Sequence, residues 1–298
     1  MSSFIEVVIR SLEYGSVYAL ASLSIILVYR TSFTTNFAQG VLGMFNSYLV
    51  ASLIAKRGFS LYTALPIGII SAIIIGILID VVIIRRANKV GPVGKQIITL
   101  GLVNIFLGIS PILFGVYDLQ MPKFIPAGRA SILGASISYN GLFNIAFGIV
   151  IMGILFYILN KTKFGLAIRT TASNEITAKM MGVSTQRVTM ISWAIAGVLS
   201  LFAGVMASPF STVSLVFMND VQITALLASV FGGLSTFHGP VIGAYIIAIA
   251  TNLLQVYLPN GTIWGKPIIY ILLIVFLFLR PHGLFGEEVV KKVYHRKE

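Results

Sequence analysis

The chain of 298 residues is predicted to be an all-α polytopic membrane protein with about eight to nine transmembrane helices, some broken or re-entrant. Two observations predict this class. Charged residues are only 10% of the chain and 57% of it is hydrophobic, where ordinary soluble domains carry about 25% charge. A soluble chain of this size must still face water and cannot hide so much apolar surface in one core. The second observation is that the charge-free runs have the length of a bilayer span, about 20 residues. A soluble enzyme, a disordered chain and a fibrous chain are all excluded.

The runs follow one another almost without interruption. They are Tyr14–Tyr29, Thr31–Ala55, Gly58–Ile79, Gln96–Tyr117, Ala130–Asn160, Val188–Asn219, Val221–Gly265 and Pro267–Leu279. The longest, Val221–Gly265, contains the loop signal Ser235-Thr236-Phe237-His238-Gly239-Pro240 and should hold two segments. Gly115–Tyr139, with Pro122, Pro126, Gly128 and Gly134, reads as an external loop with little helix. No polar stretch is long enough to build its own core, so 1–298 is expected to be a single transmembrane domain. Met1–Glu13 lacks the pattern of a removable signal peptide.

Charge placement orients the chain. The formal net charge is +12, which in a membrane protein reflects basic cytoplasmic loops and not nucleic-acid binding. Arg30, the Arg85–Lys95 cluster, the Lys161–Arg187 loop and the tail 280–298 fall on one side when spans alternate. Only Arg10, Lys56, Arg57, Lys123, Arg129 and Lys266 fall opposite. The richer side, with the C-terminus, is therefore expected in the cytoplasm, and an odd number of spans places the N-terminus outside.

Polar groups within spans are costly unless paired or facing a cavity. The densest set is Asn36-Phe37-Ala38-Gln39-Gly40, preceded by Thr31–Thr35 and followed by Asn46. One reading is a broken helix whose backbone and amides line a solute pathway. The other is a plain cytoplasmic turn, with Asn46 bonding between helices. Asn104, Asn252, Gln255 and Gln222 are expected mainly to bond between helices. Asp80 should pair with Arg85 or Arg86 at a span end, and Glu13 and Asp220 also fall at run ends. The apparent lack of a midspan carboxylate argues against a proton- or sodium-coupled pump. Gly239–Gly243 and the flank of Gly197 and Gly204 read as close packing within one bundle.

Enzymatic chemistry finds no anchor. Cysteine is absent, and His238, His282 and His295 have no partners at metal-ligand spacing. Neither a Walker motif nor G-x-S-x-G occurs. No catalytic residue, metal or cofactor is expected, and any ATP site must lie on another chain. Within Lys161–Arg187, Ser173 or Asn174 can cap a short helix that carries Glu175 in its first turn and stops at Gly182. Ile176, Met180 and Met181 form a short apolar stripe. Two turns are too few to hold alone, so the helix must dock on a cytoplasmic partner, on its own bundle or on lipid headgroups.

The pieces YGSVYALASLSIILVY, NFAQG, SNEITAKMMGVSTQRV, AGVLSLFAGVM, GGLSTFHGPVIGA and RPHGLFG occur in that order along nearly the whole chain. Together they resemble the permease subunits of ATP-binding-cassette importers for branched-chain amino acids. Gln39 departs from the N-F-A-H-G form of many relatives, keeping polarity but losing a titratable group. The resemblance implies cytoplasmic ATPase partners, a second permease subunit (similar or identical) and an extracytoplasmic solute-binding protein. It maps a coupling helix onto Ser173–Gly182, with Glu175, Ala178 and Gly182 at motif positions and Ser173 and Asn174 at its start. Asn36, Gln39 and Asn46, with Asn104, are the expected pathway residues. The rival functions are a stand-alone channel for a small neutral solute such as urea or an amide, and a ribose-type sugar permease.

Overall fold

In the computed structural model, which describes residues 4–126, 128–132 and 135–286, two helices form the axis of the bundle. They are α1 (Phe4–Ser32) and α8 (Thr185–Ala207), whose apolar windows are 83% and 78% buried by protein. Around them stand α2 (Gln39–Arg57), α3 (Leu61–Leu78, continued by a π-helical turn Ile79–Ile84), α4 (Pro92–Phe114) and α5 (Tyr139–Lys161). Short helices α6 (Lys163–Ser173) and α7 (Glu175–Met180) precede α8, and α9 (Asn219–Gly232), α10 (His238–Tyr257) and α11 (Gly261–Leu279) follow it. The windows of α4 and α11 are only 22% and 17% buried, so these helices form the rim.

Seven helices among the described residues are long and apolar enough to cross a membrane, fewer than the eight to nine expected. The difference lies in α2 and α9. Gln39, Asn46, Ser47 and the terminal Lys56–Arg57 lower the hydropathy of α2, and α9 has only 14 residues, short of a span. Both begin inside the bundle. The run Thr31–Ala55 is accordingly not one span: the chain leaves the helix over Phe33–Ala38, and Phe33 takes a left-handed φ of 51°.

Close approach of helices follows small residues. Along α3 and α8, Gly76 meets the Trp193 carbonyl, Ala72 lies against Gly197 and Gly68 faces Leu201, an antiparallel seam with four-residue steps. A Cβ on Gly197 would stand 2.7 Å from the Ala72 carbonyl oxygen. Gly239 and Gly243 of α10 pack on Gly232 and Ala228 of α9, so this GxxxG pair serves the bundle itself, as expected.

Contacts at the two ends of the bundle agree with the grouping of basic residues. Arg85 bonds the Gln186 carbonyl at 3.1 Å, and Arg30 and Ala172 border a common cavity with Pro281 and His282. At the other end Tyr62 bonds the Phe124 carbonyl, and Leu119 pairs with Val213. The loop there is free of helix over 115–126, but it contains an unanticipated hairpin, Arg129–Ile132 with Ala135–Ser138. Gly134 and residues 287–298, with His295 and the basic residues of the tail after Arg280, lie outside the described residues.

A leucine at Gly197 should lower the unfolding free energy in detergent by about 1–3 kcal/mol or more, the scale of an overpacked interior. Gly101→Leu on α4, where a Cβ would meet nothing within 4 Å, should leave the same measurement nearly unchanged.

Candidate functional site

The break between α1 and α2 lies against the middle of α8. Gln39 donates from Nε2 to the carbonyl of Ala196 at 2.9 Å, and Ala196 is midway between Thr185 and Ala207. Ser200 donates to the Gln39 carbonyl at 2.7 Å. A helix start exposes backbone N–H groups that need partners, and the N-cap residue Ala38 has no side-chain acceptor to offer. Other side chains do this. Asn36 Oδ1 accepts from the Ala38 amide at 3.0 Å, Thr99 of α4 accepts from Phe37, and Gln222 Oε1 accepts from Gly40 at 2.5 Å.

Gln222 belongs to the first turn of α9. Its Nε2 donates to the Asn36 carbonyl at 3.4 Å, so one side chain ties the starts of α2 and α9 together. Met218, just before α9, reaches to Gly43 of α2, so the two first turns overlap and run antiparallel. Asn36 and Gln39 complete the cluster through Nδ2–H···Oε1 at 2.7 Å. The positive ends of two helix dipoles therefore converge on one amide-lined point near mid-bundle.

The predicted pathway residues separate into two places. Asn36, Gln39 and Asn46 are 0%, 1% and 1% exposed, so the cluster is closed in this conformation. Asn46 donates to its own Leu42 carbonyl at 2.8 Å, and its Oδ1 is buried with no protein partner. Asn104 is elsewhere: it stands on the exposed face of α4 and bonds its own Leu100 carbonyl. Gln222, Ser200 and Thr99 were not singled out as site residues, because their partners are distant in sequence. The local signal available for Gln222 was an amide directly after a break in the hydrophobic run.

One acidic residue needs correction. α1 begins at Phe4, so Glu13 is not terminal but buried, accepting from Asn144 of α5 at 2.9 Å. Asp220 opens α9 as expected, and its side chain is 43% exposed. Its carboxylate approaches Tyr18, midway along α1, and pairs with Lys266 at 2.7 Å. Asp80 pairs with Arg85 at 3.0 Å as expected. An interior lacking carboxylates is thus no property of this bundle, and it supports no choice of energy source.

At the basic end, Ser173 closes α6, an amphipathic helix capped by Thr162 that was not anticipated. Asn174 is the cap of α7, its Oδ1 accepting from Thr177 at 3.0 Å. Glu175 pairs with Lys179 at 2.7 Å. Gly182 ends the turn at φ +80°, and Val183 donates to the Ala178 carbonyl. Ala178 is fully buried against the bundle, while Ile176 and Met180 are 68% and 83% exposed. The helix therefore docks on its own protein by one face and leaves an apolar face open.

A family model described as "Branched-chain amino acid transport system / permease component" matches residues 7–277. The chain belongs to this permease family. The probable branched-chain amino acid transport permease protein LivH of Methanocaldococcus jannaschii is 29% identical over 289 residues, covering 92% of this chain and 90% of that protein. The high-affinity branched-chain amino acid transport system permease protein LivH of Salmonella typhimurium is 26% identical, over 97% and 98% of the two chains. The ribose import permease protein RbsC of Haemophilus influenzae is 24% identical, over 83% and 76%. No solved structure matches the permease.

Replacing Gln222 by Leu should orphan the Gly40 amide and cost about 1–3 kcal/mol in detergent unfolding. Hydrogen exchange at Gly40 should accelerate. Asn104→Leu should change neither quantity.

Proposed function

We propose that this permease forms, with a second permease subunit, the translocation pathway of an ATP-binding-cassette importer whose cargo is a branched-chain amino acid. The cargo follows from the branched-chain amino acid transport described for the family and for the relatives. The single observation that carries a pathway through this chain is the meeting of the α2 and α9 starts on the amide cluster. Helix N-termini deep in a transporter favour an anionic group such as a carboxylate, without a fixed charge. Asn36, Gln39 and Asn46 are the polar lining in this reading. Movement of α9 relative to α2 breaks the Gln222 bridge and frees their donors for the solute.

Asn104 enters through a different contact. An amide on a lipid-facing surface is costly, so we assign the exposed face of α4 to the second permease subunit. The basic end of the bundle is cytoplasmic by the positive-inside rule, which puts the loop 161–187 and the tail 280–298 there. The open apolar face of α7 then receives the ATPase, with Ser173, Asn174, Glu175, Ala178 and Gly182 shaping the coupling helix. ATP hydrolysis belongs to that partner, and a solute-binding protein delivers cargo at the opposite end.

The test is leucine uptake into vesicles holding this chain with its ATPase, second permease and binding protein. Uptake should require ATP and all four components, whereas flux through the isolated chain would establish a facilitator instead. Gln39→Leu should slow uptake without lowering the amount of protein in the membrane. Glu175→Lys removes the pair with Lys179 and reverses the charge of the docking face. It should weaken ATPase co-purification and cut uptake roughly tenfold, within the usual range of coupling energies. Normal uptake and ATPase activity in this variant would remove the coupling role from α7.

A further inference from the structure

At the end of the bundle opposite α7, α1, α5 and the chain after α8 enclose a cavity of about 350 Å³, within the size range of small-molecule sites. Its wall carries both signs of charge, Glu6 and Glu13 with Arg10, Lys123 and Arg129. Glu13 is 9% exposed and has one hydrogen bond, from Asn144. Gly141 lets the first turn of α5 come close, since a Cβ there would stand 2.8 Å from Glu13 Oε2. Ser138 and Asn144 hold this turn and the carboxylate in place. Yet no described cation lies within the 4.0 Å of an ion pair with Glu13, although Arg10 and Lys123 border the same cavity.

A buried carboxylate with one neutral hydrogen bond is poorly compensated, and a cation seated against it relieves that cost. Separated opposite charges across a small space are what a zwitterion can bridge. The lining is mostly polar, and Ile9, Ile145 and Phe210 supply its apolar part. We infer that this cavity is an entry site for a free amino acid, separate from the amide cluster. Its α-ammonium binds Glu13, its α-carboxylate binds Arg10 and Lys123, and an apolar side chain lies on Ile9, Ile145 and Phe210. The choice of leucine as probe rests on the proposed cargo; the recognition of a zwitterion does not.

The absence of cysteine supplies the test. Ser136→Cys places a single thiol on the cavity wall, where Ser136 is exposed. The full chain in nanodiscs is labelled with a water-soluble maleimide, with and without L-leucine. Leucine at ten times its Kd should slow labelling roughly tenfold, because only the unoccupied fraction reacts. Isoamylamine and 4-methylpentanoate, each lacking one charge, should protect far less. Protection, read in each variant as the ratio of its rates with and without leucine, should vanish in Glu13→Gln, which keeps an acceptor for Asn144, and in Arg10→Gln. Equal protection by leucine and by both analogues would overturn the zwitterion site. Leucine uptake by the assembled importer without any protection at this thiol would also overturn the site and leave the cargo standing. Protection by another zwitterion, with no leucine uptake, would keep the site and remove the cargo.

Discussion

Inside a bilayer a backbone N–H or C=O that leaves the helix must find a partner within the protein. Phe33–Ala38 is such a departure, and the arrangement around it is the answer to that requirement. Asn36 closes the local turn, Thr99 comes from α4, and Gln222 comes from the start of α9. Three helices are thereby placed by the needs of a few amides. The position of α9 follows directly, because Gln222 reaches both Gly40 and the Asn36 carbonyl only if α9 begins near mid-bundle.

Close packing makes that placement possible. Gly40 and Gly43 leave room for Gln222 and for Ser200, and Gly204 receives Ser47. Between helices in lipid, where burial of apolar surface gives little preference for protein over acyl chains, such contact and hydrogen bonding are the main sources of association. The rim helices α4 and α11 lack this density and present long aliphatic faces instead. The centre is therefore polar and tightly fitted, and the periphery is apolar and open to lipid or to another subunit.

Much of this was legible along the chain. The membrane class came from charge and hydropathy, and the grouping of basic residues at one end reappears in the contacts of Arg85 and Arg30. Asn174 and Gly182 announced α7 because caps act within a few residues of themselves. The polar cluster at 36–46 was visible as an anomaly, but its two readings could not be separated locally. Glu13 was misplaced because the helix was taken to start where charge stops, whereas α1 carries Glu6, Arg10 and Glu13 within its own length.

By itself, then, the sequence determined the class of protein, its family pattern, most of its helices and the short helix at the basic end. These properties depend on composition and on neighbours within a turn or two. Only the tertiary structure decided that two helices begin in the middle, which carboxylates lie inside and which amides meet. Gly40 and Gln222 are 182 residues apart, and Glu13 and Asn144 are 131 apart. Pairings over such distances are chosen by how glycine-lined helices pack, and local spacing contains no record of them.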